Sequence, residues 1–249
     1  MSAPELSVVI PVHNEEVILE ASVADLCAGL DAMGVDYEVI LAENGSRDRT
    51  AAIAAALAAA RPRVRTFSTA APNYGVALRR GLLGARGALA ICEEIDLCDL
   101  DFHGRALAIL RAGEADLVVG SKAMRGAHDR RPLHRRLATR AYNALLRLTL
   151  GFRGTDTHGL KALRRAALLP VIERCITDAD VFASELVIRA QRQGVRVREI
   201  PVELREKRAP SVHLLRRVPK VLRLLVRLWA SIHLGRGAAP AISPEEGGA

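Results

Sequence analysis

The sequence predicts an α/β fold in which βαβ units assemble into a mostly parallel central sheet. Over the first 120 residues, short β-branched runs alternate with segments of helical periodicity at a regular pace. Polar residues collect just after the strand runs, at 11–16, 43–46, 94–101 and 121–125, which points to a site along the C-terminal edge of the sheet. The length, 249 residues, suits one such domain or one domain with an extension.

Leu6-Ser7-Val8-Val9-Ile10 is a compact apolar run ending at Pro11, the pattern of a buried parallel strand. From Glu15 to Leu30 the apolar residues Val17, Ile18, Leu19, Val23, Leu26 and Leu30 recur at helical spacing. Tyr37 to Leu41 is the next strand, ending in Ala42-Glu43-Asn44-Gly45-Ser46. Ser46 to Thr50 supplies polar caps for an Ala-rich helix reaching about Ala60. Val64 to Phe67 is a short strand, Gly75 to Ala85 a helix and Ala88 to Cys92 a strand. Asp101 to Ala112 is a helix, and Asp116 to Gly120 another strand.

After Gly120 the rhythm changes. A basic loop, 122–136, leads to a helix from about Leu137 to Leu150 and then to the polar turn Gly154-Thr155-Asp156-Thr157-His158-Gly159. The run 160–164 follows without a clear period. Phe182 to Gly194 reads as a helix and Val195 to Leu204 as a strand with partial alternation. Leu214 to Leu234 is a long basic amphipathic helix broken near Pro219, and the Gly-, Ala- and Pro-rich tail 235–249 reads as disordered. The organisation expected is a domain over 1–212, the basic helix over 213–234 and the tail.

Half of the residues are apolar but only 3% are aromatic, so Ala, Val, Leu and Ile must build the core. A net charge of +8, dominated by Arg, suits an anionic partner, although a GC-rich genome raises Arg and Ala as well. The four cysteines have no metal-site spacing and read as small apolar residues of a reducing compartment. The first residues lack a basic region followed by an apolar core, which predicts no signal peptide, and no apolar run approaches the roughly 20 residues of a membrane span. The basic residues are not interleaved with aromatics, which argues against a single-strand nucleic-acid platform.

Against this positive background, acidic residues crowd into Glu93-Glu94-Ile95-Asp96-Leu97-Cys98-Asp99-Leu100-Asp101, directly after a buried strand. Carboxylates two apart at the rim of a sheet suit a hard divalent cation that carries a phosphorylated substrate. The competing reading is favourable negative charge at the start of the next helix. Asp96 is the first choice of metal ligand and Glu94 the second, with Glu94 alternatively touching a ribose. Asp99 and Asp101 suit helix capping.

Taken in order, these motifs resemble family 2 glycosyltransferases of GT-A fold, in the branch of dolichol- and polyprenyl-phosphate sugar transferases. The residues that carry the resemblance are 8–16, 43–50, Asn73-Tyr74-Gly75, Gly87 with Glu94-Ile95-Asp96, and Gly120-Ser121-Lys122. They continue with Asp156-Thr157-His158-Gly159-Leu160-Lys161, Glu185-Leu186, Arg189-Ala190 and Glu199-Ile200-Pro201-Val202, before Arg205 and Arg208. The resemblance implies a three-layer α/β/α domain, a nucleotide diphosphate sugar as donor and Mg²⁺ or Mn²⁺ as cofactor. Three positions depart from the family pattern. Glu94-Ile95-Asp96 stands for Asp-x-Asp, Glu43-Asn44-Gly45-Ser46 for Asp-Asp-Gly-Ser, and the segment after Asn73 lacks the usual Lys.

By the same resemblance Pro11, His13 and Glu15 form the first wall for base and ribose, Glu43 accepts a hydrogen bond from the base, and Arg205 and Arg208 meet the donor diphosphate. Each has a plainer reading, as a loop, helix-start or strand-end residue in solvent. An inverting transfer to a hydroxyl needs a general base, for which Asp156 and Glu185 are the best carboxylates. A phosphate acceptor is already ionised and needs cationic placement instead. Lys122, Arg125, Arg130, Arg131, Arg135 and Arg136 offer that placement, or else form a solvated basic loop. Arg216, Lys220, Arg223 and Arg227 share one face of the last helix, with Val221, Leu222, Leu225, Leu228 and Trp229 mostly opposite, the pattern of an interfacial helix at an anionic lipid surface. A helix packed on the domain, or a membrane-protein partner, would use the same residues.

Three functional readings follow. The first is metal-dependent transfer of a sugar, from a GDP-mannose or UDP-glucose type of donor, to a polyprenyl phosphate at the cytoplasmic face of a membrane. The second keeps the donor but uses a hydroxyl acceptor on a glycan or small metabolite. The third is a catalytically weakened protein that binds a nucleotide sugar.

Overall fold

The computed structural model describes residues 3–129, 132–178, 181–204 and 214–234. Its first half is the expected alternation of strand and helix: β1 (Leu6–Val12), α1 (Leu19–Ala32), β2 (Tyr37–Glu43), α2 (Thr50–Ala60), β3 (Val64–Ser68) and α3 (Tyr74–Gly84). These are followed by β4 (Leu89–Cys92), α4 (Leu100–Arg111) and β5 (Leu117–Ser121). The remainder comprises β6 (His128–Asp129), α5 (Leu133–Leu150), β7 (Lys161–Arg164), α6 (Arg165–Glu173), α7 (Phe182–Arg192), β8 (Val197–Pro201), β9 (Glu203–Leu204) and α8 (Leu214–Leu234).

The seven-stranded sheet has the order β3-β2-β1-β4-β7-β5-β8. All neighbours run parallel except β7, which is antiparallel to both β4 and β5. The chain builds outward from β1 to β3, then returns to the other side of β1 for β4. The C-terminal ends of β1 and β4 therefore flank a topological switch point, where open α/β sheets bind ligands. A separate parallel pair joins β6 to β9.

Pleat alternation sends the two faces of each strand into two cores. Leu6, Val8, Ile10 and Val12 meet α1, α2 and α4 through Leu19, Val23, Leu26, Ala54, Leu57, Phe102 and Leu107. Val9, Ile40, Ala90 and Val119 meet α3, α5, α6 and α7 through Leu78, Leu146, Leu168, Ile172 and Phe182. The outcome is the three-layer α/β/α sandwich expected of the sequence.

Several boundaries differ from the periodicity for identifiable reasons. The first helix starts at Leu19, not Glu15; the backbone N–H groups of Glu15 and Glu16 are held instead by the segment that opens α2, through Thr50 Oγ1 at 2.7 Å and Asp48 Oδ2 at 3.3 Å. α5 starts at Leu133, one residue after Pro132, whose fixed φ suits a helix entry. The last helix is not broken at Pro219, which removes only one N–H from its second turn.

The faces of α8 also differ from those expected. Leu225 and Leu228 are buried in the second core, with Val221, Leu224 and Ile232 packed against it. Leu222 and Trp229, expected on the same apolar side, are exposed beside Val226. Arg223 and Arg227 are exposed, while the side chains of Arg216 and Lys220 and the tail 235–249 lie outside the described residues. Among the described residues no helix is long and apolar enough to cross a membrane.

Candidate functional site

The first wall of the site is a zipper between the loops after β1 and β2. Glu43, almost wholly buried, uses Oε1 to accept the Ser46 N–H at 2.6 Å. That bond folds 43–46 into a turn whose Gly45 has φ +63. A Cβ at Gly45 would lie 2.8 Å from the Ala71 carbonyl carbon, so both conformation and space require glycine. Asn44 Oδ1 accepts the Asn73 N–H at 2.6 Å and so joins a third loop to the wall. His13 Nδ1 lies 2.8 Å from the Asn44 carbonyl oxygen, and the Asn14 N–H donates to Ser46 Oγ at 3.0 Å. Pro11 sits in β1 beyond Val9, the last residue paired with β4, so its missing N–H leaves no gap in that ladder. The sequence-predicted residues Pro11, His13, Glu15 and Glu43 thus come together at one end of the sheet.

The second wall rises from β4. Glu94 and Asp96 follow its C-terminal end, and among the described residues neither carboxylate accepts a hydrogen bond or joins an ion pair. Glu94 is exposed to solvent, while its neighbours Glu93 and Ile95 are buried. Desolvation, and then the nearby Asp96 charge, push its carboxyl up to about 7 against the pull of Lys122. Asp99 caps α4 by accepting the Phe102 N–H at 2.9 Å, and Asp101 pairs with Arg105 one turn on. Glu93 turns inward and is buried.

β7 brings in two further charges. Because it runs antiparallel, its first residue, Lys161, lies opposite Cys92 at the same sheet edge where β4 and β5 end. Lys161 is 2% exposed, and its Nζ donates to the Gly159 carbonyl oxygen at 2.8 Å. Burial depresses its pKa, and Asp156 and Glu94 oppose that shift without cancelling it. Lys122, just past β5, places Nζ 3.1 Å from Asp156 Oδ2. Asp156 is fully buried and also accepts the His158 N–H at 2.9 Å. Burial pushes the Asp156 carboxyl upward, but Lys122 and the His158 N–H outweigh it and hold the carboxyl below its usual range.

The 154–159 turn is itself held from below. Glu199 accepts the Thr155 N–H at 2.7 Å and the Thr155 hydroxyl at 2.7 Å, and Thr155 Oγ1 lies 2.7 Å from Ser121 Oγ. Gly159 is so close to Gly120 that a Cβ would overlap the Gly120 carbonyl oxygen. Glu185 stands apart from the cleft chemistry. It is fully buried and accepts from the Ile176 N–H at 2.9 Å, the Thr177 N–H at 2.7 Å and Arg189 Nε at 2.6 Å. Arg130, Arg131, Arg205 and Arg208 lie outside the described residues. Lys161 and Glu199 were given no role by sequence reasoning. The signal available for Lys161 was a lysine opening an otherwise apolar run, Lys161-Ala162-Leu163, next to a polar turn.

A profile of glycosyl transferase family 2 matches residues 7–171, a span that takes in both walls of the cleft. The chain belongs to that family. Glycosyltransferase AglD of Haloferax volcanii is 34% identical to this family 2 chain over 230 residues, which cover 90% of the chain and 37% of AglD. The dolichyl-phosphate hexose transferase of the same organism is 28% identical over 205 residues, covering 82% of the chain and 84% of that protein. Glucosyl-3-phosphoglycerate synthase from Mycobacterium tuberculosis, solved with Mn²⁺, UDP-glucose and phosphoglyceric acid, superposes with a TM-score of 0.68 at 24% identity. The superposition covers 91% of this chain and 80% of that one, and it shows the shared GT-A fold.

The site combines a polar wall with one deeply buried carboxylate, Glu43, a pair of carboxylates, Glu94 and Asp96, without a hydrogen-bond partner among the described residues, the half-buried Lys122 and the buried Lys161. Among the described residues no three His, Cys, Asp or Glu side chains converge, and Glu94 and Asp96 offer two carboxylates at the end of β4. Two such oxygen donors fit a Mg²⁺- or Mn²⁺-type ion, which keeps waters and takes further oxygens from a substrate phosphate.

Proposed function

We propose that this chain is an inverting, divalent-metal-dependent glycosyltransferase that moves a sugar from a nucleotide diphosphate sugar to a polyprenyl phosphate. The observation that carries the choice of acceptor is the state of the two carboxylates best suited to act as base. Asp156 is tied to Lys122 with its carboxyl held below the usual range, and Glu185 is saturated by backbone N–H groups and Arg189. Neither is free to deprotonate a hydroxyl, whereas a phosphate oxygen needs no base. The dolichyl-phosphate hexose transferase, aligned over most of its length, bears in its name the same class of acceptor.

In this reading Glu43 receives an N–H of the base on the carboxylate oxygen left over from its bond to Ser46. His13 and Pro11 flank base and ribose. Glu94 and Asp96 hold the cation, which when bound neutralises charge developing on the leaving diphosphate. Lys122 and Lys161 set a positive potential behind the reacting centre, and Arg130, Arg131, Arg205 and Arg208 position the acceptor and donor phosphates. An acceptor phosphate oxygen attacks the anomeric carbon as the bond to the diphosphate breaks, and the departing oxygen keeps the electron pair. The exposed stripe of Leu222, Val226 and Trp229 lies between the buried and basic faces of α8, about a third of a turn from each, and supports peripheral binding at the cytoplasmic membrane face.

The test is transfer of labelled sugar from GDP- and UDP-sugars to a polyprenyl phosphate in detergent, with Mn²⁺, Mg²⁺ or chelator. Metal-dependent label in the lipid product, with the anomeric configuration inverted by NMR, is expected. Transfer to a soluble hydroxyl acceptor that survives charge reversal of Arg130 and Arg131 would replace this reading with the second. Binding of the nucleotide sugar without transfer to either acceptor class would leave the third.

A further inference from the structure

Glu93 precedes the proposed metal ligands but faces away from them. Its side chain and that of His103 on α4 are both fully buried, with Glu93 Oε2 2.6 Å from His103 Nε2. The same carboxylate accepts the Glu94 N–H at 2.9 Å through Oε1 and the Asp99 N–H at 3.3 Å through Oε2. One carboxylate therefore ties down both ends of the segment that carries Glu94 and Asp96, and anchors it to a core helix.

That segment needs holding. Its Leu97 and Cys98 N–H groups both turn back on the Glu94 carbonyl oxygen, at 2.9 and 3.3 Å. Cys98 adopts φ +44, a left-handed conformation that disfavours a side chain. A buried carboxylate is unfavourable unless several donors satisfy it, and an apolar residue at position 93 would fill the space without that penalty. Among the described residues His103 Nδ1 is buried with no partner, and the ring's one hydrogen bond is to Glu93. The polar chemistry of both side chains is thus directed at this one segment.

We propose that Glu93 and His103 are a positioning pair that fixes the separation and direction of the Glu94 and Asp96 carboxylates, and so sets the affinity of the site for its divalent cation. This rests on the reading of Glu94 and Asp96 as metal ligands. Groups that orient ligands from behind commonly change metal affinity by about 10- to 100-fold when removed.

The experiment titrates Mn²⁺ into the full chain and reads the free Mn²⁺ signal by electron paramagnetic resonance, without donor or acceptor. Glu93→Gln and His103→Phe are expected to weaken Mn²⁺ binding about tenfold or more. His103→Gln, which restores an N–H donor, recovers most of the affinity. Melting curves taken without metal identify the folded variants, and if Glu93→Gln does not fold, His103→Phe decides. A folded variant with Mn²⁺ affinity within about twofold of the wild type, the range of ordinary surface changes, overturns the proposal. Failure of the wild type to bind Mn²⁺, or Asp96→Ala binding as the wild type does, overturns the metal-site reading itself and the positioning role with it.

Discussion

With Glu94 as a ligand in the proposed site, cation binding should be sensitive to pH in an unusual range. An ordinary glutamate would be ionised throughout the neutral region, but desolvation and the Asp96 charge raise this carboxyl to about 7. A cation needs the ionised form, so binding below that pH must first expel a proton. Between pH 8 and pH 6 the ionised fraction falls from about nine-tenths to about one-tenth, and Mn²⁺ affinity of the metal-free protein should fall about tenfold. The fold responds with the opposite sign. Between the unfolded value of 4.5 and the native value of about 7, the folded chain holds a proton that the unfolded chain releases. Metal-free stability from this group is therefore greatest at low pH and declines as pH rises through that window. Partial exposure of Glu94 to cleft water moderates the size of that decline. The assay is a Mn²⁺ titration at half-unit pH steps, run in parallel on Glu94→Gln. The wild type should show a sigmoidal rise in affinity centred near 7, and the variant a weaker, nearly flat profile. A flat wild-type profile, or an unchanged step in Glu94→Gln, refutes the assignment of that carboxylate to the cation.

Lys122→Met should destabilise the fold by about 3–5 kcal/mol in urea unfolding, because it leaves the buried Asp156 charge without its main partner. The native Asp156 carboxyl is held low, so its pairing contributes above the unfolded pKa and should be lost as pH falls through the native value, below 3.8. Gly159→Ala should cost about 1–3 kcal/mol and lower nucleotide-sugar affinity, since the new methyl must push the turn off the Gly120 carbonyl; an unchanged melting temperature would refute this packing. Leu228→Ala should cost about 2–5 kcal/mol in the same unfolding assay, as expected of a side chain sealed in the core. Trp229→Glu should leave stability within about 0.5 kcal/mol while reducing binding to anionic vesicles. Retained vesicle binding by that variant would remove α8 from the membrane reading.

The fold was legible wherever local pattern and tertiary role agreed. β1, β2 and β4 are apolar runs because both faces are buried, and α4 has a carboxylate cap at its start. The antiparallel strand β7 was not legible. Its four residues have no period, and its place between β4 and β5 depends on partners about 45 to 75 residues away in sequence. The burial of Lys161 follows from that insertion and was hidden for the same reason. The motif residues Pro11, His13, Glu15, Glu43, Glu94, Asp96, Lys122 and Asp156 could be named as candidates from the residue pattern and the family resemblance. Their states could not, because the raised carboxyl of Glu94 and the lowered one of Asp156 depend on which charges the fold sets opposite them. Likewise, the burial of Leu225 and Leu228 suits an apolar stripe on α8, but the exposure of Leu222 and Trp229 depends on how the helix is set against the second core.

The insertion of β7 also governs how the domain can be assembled. Until residues 161–164 have been made and threaded into place, the inner edge of β4 and the edge of β5 each present unpaired backbone groups. Neither can complete the sheet with the other, since β7 must enter between them in the opposite direction. Closure is thus a late, long-range event, the kind that slows folding and leaves adhesive edges in the interim. A chain cut anywhere between β5 and β7 should be recovered as aggregate, even though every residue of the proposed nucleotide wall and of the Glu94-Ile95-Asp96 segment is already present.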